Sequence, residues 1–441
     1  MNRADTMARG ATSRSTWHNC APREQVFRGE HMSESDNVIV VGAGLAASTF
    51  AFQLRRRGYT GRVALLGEES VHPYDRPPLS KELLWSANEF QPRLLRDVDD
   101  YAEQDIEVRT EARVVGLDVT RRTVQLHSGD HIPFSRLVIA TGSRPRVVPG
   151  IATELAGVHM LRNFDDCLNM RAEVAKASHL VIVGGGLIGA EVAAGAAGHR
   201  IDVTLVDPLP VLLARSLGGV TSEHVTRMHR DGGVDLELGV GVKALRRSGD
   251  RLAGVELSDG RVLEADVVLL ALGSAPDVAW LAGSGIDVRR GIVTDSHHRT
   301  SVPGIYAIGD VAETHDPVSD RHAVIEHWMN ARDQAVALAD AFTDADGGGH
   351  VHLPYFWSEQ FGTRIQSLGH PDPTSAHHLL KWNDPKPGAL YLFGAPDRIT
   401  GAVGFNAAAR LMRLRPQIIA GATWAEAEAT VFGGIRATAS S

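Results

Sequence analysis

A glycine-rich turn directly after an apolar strand is the first feature of this sequence that could bind a phosphate group. The apolar run at 37–41 leads into Gly42, Gly44 and Ala47, which form a GxGxxA pattern. Gly42 permits a tight turn, Gly44 lets the backbone approach a pyrophosphate, and the small Ala47 lets the next helix pack closely. That helix, predicted over 48–57, would direct its N-terminal end at the phosphates. The same pattern also fits a tight strand-to-helix turn without a ligand.

A second turn of the same kind changes this interpretation. The apolar run at 180–183 leads into Gly184, Gly186 and Gly189 in a complete GxGxxG pattern, and a helix is predicted from Ala190. Two such patterns in one chain predict two bound dinucleotides.

An acidic residue follows each turn at a distance that suits a carboxylate binding ribose. Glu68 lies 24 residues after Gly44, and Asp207 lies 21 residues after Gly186. The Asp207 carboxylate would repel the 2′-phosphate of NADPH, so the sequence predicts NADH as the second dinucleotide. Arg215 is the cation that could accept a 2′-phosphate instead, although its position also suits a helix surface.

Two short strand–turn segments flank the second glycine turn. They occupy residues 138–146 and 304–311, and both are rich in small side chains. Their placement predicts that one dinucleotide-binding domain is split and that the other is inserted between its halves. Asp310, expected at a strand end and helix start, would accept hydrogen bonds from flavin ribityl hydroxyls or would cap a helix.

Composition and charge exclude several other classes of protein. The net charge of −8 and the pI of about 6.2 argue against a nucleic-acid partner, and no apolar run is long enough to span a membrane. The two cysteines, Cys20 and Cys167, are too far apart in the sequence to suggest a redox pair, and they suit a reducing cytoplasm. Histidine pairs such as His297 and His298 lack partners at metal-ligand spacing, so no metal site is predicted.

The proline-rich segment at 71–81 carries a highly specific signature. It reads Val-His-Pro-Tyr-Asp-Arg-Pro-Pro-Leu-Ser-Lys, which resembles the YDRPPLSK signature of the oxygenase-coupled NADH–ferredoxin reductases. The resemblance runs from residue 37 to about residue 425 and includes the segments at 304–311, 326–328 and 354–358. It implies FAD as the first dinucleotide and NADH as the second.

This resemblance also implies roles for particular residues. Arg76 and Lys81 would touch FAD, Glu68 would bind its ribose, and Arg146 would lie beside it. Trp328 would lie near the flavin or the nicotinamide, although a tryptophan is more often part of a core. The full set of predicted cofactor-binding residues is Gly42, Gly44, Ala47, Glu68, Arg76, Lys81, Val114, Arg146, Asp310, Trp328, Gly184, Gly186, Gly189 and Asp207.

The implied reaction transfers a hydride from NADH to FAD, which then releases electrons one at a time. Lys81 is the predicted cation beside the flavin. Glu191, in the first turn after Gly189, is predicted to point toward the nicotinamide and to form a catalytic ion pair with Lys81. Glu191 also fits an acidic residue that complements a helix dipole.

The predicted electron acceptor is a small iron–sulfur ferredoxin, or a rubredoxin, that supplies a cytochrome P450 or a ring-hydroxylating oxygenase. Two alternatives stay open: a redox-dependent NADH-binding flavoprotein similar to apoptosis-inducing factor, and an NADH oxidase. The sequence does not name the acceptor, and both a monomer and a weak dimer are compatible with it.

A basic patch is the predicted docking site for an acidic ferredoxin. Arg410 and Arg413 are i,i+3 neighbours on a helix predicted over 407–422, and Arg415 precedes Pro416. The same arginines also suit an ordinary solvated helix face.

These motifs require two Rossmann-like domains of the glutathione-reductase-like α/β class and a small α+β C-terminal domain. Met32 is a possible translation start within the first segment, which is predicted to be disordered. The predicted segments are 1–36 (disordered extension), 37–150 (first part of the FAD domain), 151–272 (NADH domain), 273–345 (second part of the FAD domain) and 346–441 (C-terminal interface domain).

Overall fold

The computed structural model describes residues 36–86, 91–199, 201–316, 321–343, 353–383 and 386–433. The predicted disordered extension therefore lies outside the described residues except for Asp36, which pairs with Arg136 at 2.5 Å. The glycine run at 347–349, predicted to mark a domain boundary, also lies outside them. No helix in the described ranges is long and apolar enough to cross a membrane.

The strands are numbered in chain order. They are β1 Asn37–Val41, β2 Arg62–Leu66, β3 Ile106–Arg109, β4 Val114–Asp118, β5 Thr123–Leu126, β6 His131–Pro133, β7 Arg136–Ile139, β8 Ser143–Pro145, β9 Val158–His159, β10 His179–Val183, β11 Asp202–Asp207, β12 Asp235–Leu238, β13 Val242–Ser248, β14 Arg251–Leu257, β15 Val262–Leu263, β16 Val267–Leu270, β17 Ser274–Pro276, β18 Ile292–Thr294, β19 Ile305–Ala307, β20 Ala312–Asp316, β21 Arg321–Val324, β22 Tyr355–Gln360, β23 Thr363–Gly369, β24 His377–Trp382, β25 Gly388–Ala395 and β26 Arg398–Phe405.

The helices are numbered in the same way, and short 3₁₀ turns lie at Pro77–Ser80, Ala279–Leu281 and Gly309–Val311. The helices are α1 Leu45–Arg56, α2 Glu82–Trp85, α3 Val98–Glu103, α4 Phe164–Val174, α5 Leu187–Ala196, α6 Gly219–Asp231, α7 Trp328–Thr343, α8 Ala408–Arg413, α9 Arg415–Ala420 and α10 Trp424–Phe432.

The first sheet has the strand order β19-β7-β1-β2-β3, and all of its pairings are parallel. Its central strand β1 is an apolar run because both faces of the sheet are covered, by α1 and α7 on one side and by small antiparallel strands on the other. The edge strand β19 comes from far along the chain, so this sheet is assembled from two separate segments.

The second sheet has the order β12-β11-β10-β16-β9 and is also parallel. Its strands lie entirely between the two segments that build the first sheet. The chain crosses between the sheets at β8 and β17, which pair antiparallel with Arg144 opposite Ala275. This arrangement agrees with a split domain and an inserted one, while the exact limits at 150, 272 and 345 remain predictions.

The third sheet, β22-β23-β26-β25-β24, is antiparallel. One face packs against α8, α9 and α10, and the other contacts the second sheet and the loop around Leu79. The helix predicted over 407–422 is wrong in one respect, because it is broken between α8 and α9. Pro416 lies in the first turn of α9 and has no N–H to continue the helix before it. The predicted α/β class with an α+β C-terminal unit is confirmed.

Candidate functional site

A cavity of about 330 Å³ extends from the first glycine turn to the start of α5. It is lined by segments that lie far apart in the sequence, including the turn after β1, the proline-rich segment, the turn after β19 and the start of α7. The predicted residues that line it are Gly42, Gly44, Glu68, Arg76, Lys81, Val114, Glu191, Asp310 and Trp328.

The first glycine turn forms a cradle for a phosphate group. Gly42 has φ +107°, and a Cβ there would lie 2.2 Å from the Ala140 carbonyl oxygen, so a side chain is excluded. A Cβ on Gly44 would meet nothing within 4 Å, so the backbone beside α1 is open to a ligand. Ala47 is fully buried beneath the turn rather than in the cavity. These features fit a pyrophosphate at the N-terminus of α1.

The second glycine turn repeats this geometry. Gly184 has φ +113°, and its Cβ would lie 2.2 Å from the Ala271 carbonyl oxygen. A Cβ on Gly189 would lie 2.0 Å from the Gly184 carbonyl oxygen, so α5 packs directly on the turn. Gly186 is open, like Gly44 in the first turn. These glycines do not line the large cavity, which places the second dinucleotide cradle beside it.

Asp207 is bonded to the second turn. Its Oδ2 accepts from the Gly185 N–H at 2.6 Å, and its Oδ1 accepts from the Leu209 N–H at 2.7 Å. An ionised carboxylate has further lone pairs, so these bonds leave room for a ribose hydroxyl. The side chain therefore shapes the turn in addition to its predicted role in binding NADH.

Two arginines and two carboxylates meet in the wall of the cavity. Arg76 donates to Glu69 Oε1 at 2.6 Å and lies over the Tyr74 ring at 5.3 Å. Arg162 Nη2 lies 3.4 Å from Asp310 Oδ2. Burial lowers the pKa of the Arg162 guanidinium, and the nearby Arg76 cation lowers it further. This wall offers both hydrogen-bond donors and acceptors to a polar ligand chain.

Asp310 itself lies in the 3₁₀ turn Gly309–Val311, and β20 begins two residues later. The helix predicted to start at this position is therefore wrong, and α7 begins only at Trp328. Asp310 lies inside the 3₁₀ turn and not at its N-cap, which is Ile308, so the helix-cap interpretation of Asp310 has no support.

Lys81 and Glu191 form the ion pair predicted from the sequence. Lys81 Nζ lies 2.6 Å from Glu191 Oε2, and the two side chains are 18% and 8% exposed. Ser80 Oγ also donates to Glu191 Oε2, at 2.5 Å, while Ser358 Oγ donates to Glu191 Oε1 at 2.6 Å. Gln360 Nε2 in turn donates to Ser358 at 2.9 Å. Glu191 is thus held by the proline-rich segment and by the C-terminal sheet.

The same ion pair lines a second cleft. Lys81 and Glu191 are joined there by Glu82, Trp85 and Phe361. The Lys81–Glu191 pair therefore lies in the wall between the cavity and this cleft.

Trp328 begins α7 at the far wall of the cavity. Its indole N–H donates to Asp75 Oδ1 at 2.8 Å, which ties it to the proline-rich segment. Trp357 also lines the cavity and meets Trp328 edge to face, with ring centroids 5.7 Å apart. Both tryptophans therefore lie at the site and not only in a core.

Arg146, which the resemblance implies lies beside FAD, is turned toward the backbone of β17. Arg146 Nε donates to the Ser274 carbonyl at 2.6 Å and does not line the cavity. Arg144, in the middle of β8, lines it instead, whereas Arg146 lies just after the end of that strand. Arg144 donates to Glu68 at 2.7 Å and to Asp277 at 2.9 Å.

Several residues of the site were missed. Arg144 and Ser358 lie within the segments at 138–146 and 354–358, which the sequence had already indicated. Each could have been found by considering every polar residue of those segments. Glu69 adjoins a predicted ligand, whereas Arg162 and Asp277 stand in loops without any local pattern.

The described residues that line the cavity include no cysteine. Cys167 is the described cysteine; it is buried and does not line the cavity. Burial raises the pKa of its thiol to about 11. The described residues contain no cluster of His, Cys, Asp or Glu that could hold a metal ion.

Comparisons with known proteins agree with this geometry. Residues 36–335 match the pyridine nucleotide-disulphide oxidoreductase family, and residues 355–430 match the reductase C-terminal family. The chain is 36% identical to the ferredoxin–NAD(+) reductase component of the p-cumate 2,3-dioxygenase system of Pseudomonas putida, over 81% of this chain and 85% of that one.

Two solved structures are similar along most of their length. The ferredoxin reductase for the CYP199A2 system of Rhodopseudomonas palustris has a TM-score of 0.82 and 31% identity, covering 86% of this chain and 94% of that one. The reductase in the covalent putidaredoxin reductase–putidaredoxin complex has a TM-score of 0.81 and 30% identity, covering 90% and 98%. The predicted family, and with it the predicted cofactors FAD and NADH, are confirmed. The chain belongs to the pyridine nucleotide-disulphide oxidoreductase family, in its group of ferredoxin–NAD(+) reductases.

Proposed function

We propose that this chain passes electrons from NADH through FAD to a small iron–sulfur protein of the ferredoxin type. One observation carries the proposal. The cavity that begins at the Gly42 turn is closed at its other end by Lys81 and by Glu191, which comes from the helix of the second glycine turn. A cavity bounded by both dinucleotide motifs brings a flavin and a nicotinamide into one site.

The residues of the cavity fit FAD. The Gly42 turn and the N-terminus of α1 offer N–H groups to a pyrophosphate, Glu68 offers a carboxylate to a ribose, and Asp310 offers one to ribityl hydroxyls. When bound, FAD accepts two electrons from NADH and releases them one at a time. Lys81 supplies the positive charge that stabilises added negative charge in the cavity.

The second turn and Asp207 are proposed to hold NADH. Glu191 lies in the first turns of α5, so the helix that carries the NADH cradle also delivers a carboxylate to the cavity. The three hydrogen bonds to Glu191 fix its position. This arrangement orients the two cofactors and keeps bulk water away from the place where they meet.

The chemistry of the cavity favours a one-electron acceptor. Flavoenzymes that pass electrons to disulfides need a reactive thiol beside the flavin, and the described residues of this cavity include none. The relatives named above serve a dioxygenase system and a CYP199A2 system. The proposed partner is therefore a ferredoxin, or a rubredoxin, that feeds a ring-hydroxylating oxygenase or a cytochrome P450 in the cytoplasm. The proposed state of the chain is a monomer or a weak dimer.

Anaerobic stopped-flow absorbance with NADH tests the first half of this proposal. The flavin absorbance should disappear faster than the enzyme turns over with a ferredoxin, and NADPH at the same concentration is the matched control. Slow flavin reduction with a long-lived charge-transfer band would indicate a redox-dependent binding protein instead. Rapid consumption of NADH by oxygen alone would indicate an NADH oxidase.

A further inference from the structure

Arg144 lines the cavity and lies in a strand that pairs with β17, where the chain returns from the second sheet to the first. It lies in β8, directly opposite Ala275 of β17. Strand β8 precedes the inserted second sheet, and β17 follows it. The pairing of these strands therefore joins the two segments that flank the inserted unit.

The guanidinium of Arg144 bridges two carboxylates. Its Nη2 donates to Glu68 Oε2 at 2.7 Å, and its Nε lies 2.9 Å from Asp277 Oδ1. Its hydrogen bonds with Asp277 and Glu68 raise the pKa of Arg144 above its ordinary value, so the guanidinium remains charged. A planar guanidinium can satisfy two carboxylates at once, whereas a lysine ammonium is a point charge.

The bridge is not needed to hold the crossing together. Arg144 is 46% exposed, and ion pairs of this kind contribute little to stability. The backbone fixes the crossing independently, because the Asp277 N–H donates to the Gly142 carbonyl at 3.0 Å and Thr141 Oγ1 donates to the Asp277 carbonyl at 2.9 Å. The placement of Arg144 is therefore better explained by what it positions.

Glu68 is the residue that Arg144 positions. Arg113 is a second cation near Glu68, and both arginines approach Oε2, at 2.7 Å for Arg144 and 3.9 Å for Arg113. The Oε1 atom is thereby left to accept a ribose hydroxyl. A carboxylate fixed at one oxygen loses less conformational freedom when its other oxygen binds a ligand.

We infer that Arg144 is a positioning residue that holds Glu68 for the ribose of FAD and is itself held by Asp277, which comes from the segment after the inserted unit. This inference rests on the proposed function, because it takes Glu68 as the ribose carboxylate of FAD. Arg146 provides a matched control, since it lies in the same crossing and bonds the Ser274 carbonyl but does not line the cavity.

The test measures release of FAD from the holoenzyme by the rise in flavin fluorescence after dilution. Arg144→Gln should release FAD at least tenfold faster than the unmodified protein, while Arg146→Gln should behave as the unmodified protein does. Arg144→Lys should fall between them. In a Glu68→Gln background, Arg144→Gln should accelerate release little further, because Arg144 acts through Glu68. Asp277→Ala, which keeps the contact between Arg144 and Glu68, should release FAD more slowly than Arg144→Gln.

Equal release rates for Arg144→Gln and the unmodified protein would overturn the inference. So would an equal acceleration by Arg144→Gln with and without the Glu68 carboxylate. A protein that holds FAD but reduces no ferredoxin would contradict the proposed function and would leave the order of these release rates unchanged, so the two failures are distinguishable.

Discussion

The Glu191 carboxylate lies 2.6 Å from the Lys81 ammonium group, although 110 residues separate them in the chain. Lys81 is the last residue of the proline-rich segment, and Glu191 belongs to the helix of the second glycine turn. Their contact fixes the two dinucleotide motifs relative to each other, and the hydrogen bond from Ser358 adds the C-terminal sheet to the same point.

Glu191→Gln should lower the free energy of unfolding by about 3–5 kcal/mol, because it leaves the mostly buried Lys81 without a counter-ion. Denaturant unfolding of the FAD-loaded protein measures this loss. The double variant Lys81→Met with Glu191→Gln should be more stable than Glu191→Gln alone, since it removes the uncompensated charge. A loss below roughly 1 kcal/mol in the single variant would show that the pair behaves like an exposed salt bridge.

Asp207 should set the preference for NADH over NADPH. Asp207→Asn removes the charge and keeps an acceptor for only one of the Gly185 and Leu209 N–H groups. NADPH should therefore gain at least about tenfold relative to NADH in kcat/KM, roughly 1.4 kcal/mol. Asp207→Ala should weaken both nucleotides further, because the turn loses its two hydrogen bonds. Steady-state kinetics with both nucleotides decides this. An unmodified enzyme that already prefers NADPH would refute the assignment.

Cys167 should be inert toward thiol reagents in the folded protein. Its raised pKa of about 11 leaves on the order of one thiolate in a thousand at pH 8, and the side chain is buried. In a Cys20→Ser background, a chromogenic disulfide reagent at pH 8 should label no thiol until denaturant is added. The reactivity should rise only as the pH approaches 11. Rapid labelling of the native FAD-loaded protein, at a rate that NADH changes, would revive a thiol-based acceptor.

The basic patch on the C-terminal helices should dock ferredoxin through Arg413 rather than Arg410. Arg410 stacks on the Trp382 ring at 4.1 Å and on Phe432 at 5.5 Å, so it is part of the packing, whereas Arg413 is exposed. Arg413→Glu should slow ferredoxin reduction at low salt and leave flavin reduction by NADH unchanged, because only association is steered.

Arg121→Glu makes the same charge change at another exposed position and serves as the control. Arg410→Glu should instead destabilise the protein by about 1–2 kcal/mol through loss of the stacked cation. Equal ferredoxin rates for Arg413→Glu and Arg121→Glu, across the salt range, would remove this patch from the interface.

Local patterns predicted much of the fold. The glycine turns, the apolar strands and the order of the segments all follow from short-range chemistry, and β1 has the bounds of the apolar run at 37–41. The turn at Asp310 and the break before Arg415 were mispredicted, because packing and a single proline decide there between continuing a helix and ending it. Such choices involve small energies that a residue pattern does not encode.

The site was predicted unevenly for a similar reason. Lys81 and Glu191 belong to strong motifs, so their approach followed from the relation between those motifs. The exchange of Arg146 for Arg144 depends on where the three-residue strand β8 ends, and Arg162 is brought to the cavity only by tertiary packing. Neither fact is contained in a local pattern.

Electron delivery to a ferredoxin tests the proposed function most directly. With NADH, the FAD-loaded enzyme and cytochrome c, we expect little cytochrome c reduction until a ferredoxin is added, and then a rate that saturates with ferredoxin concentration. A panel of ferredoxins and rubredoxins identifies the acceptor class. Cytochrome c reduction at the same rate with and without every member of the panel, despite rapid flavin reduction by NADH, would contradict the proposal.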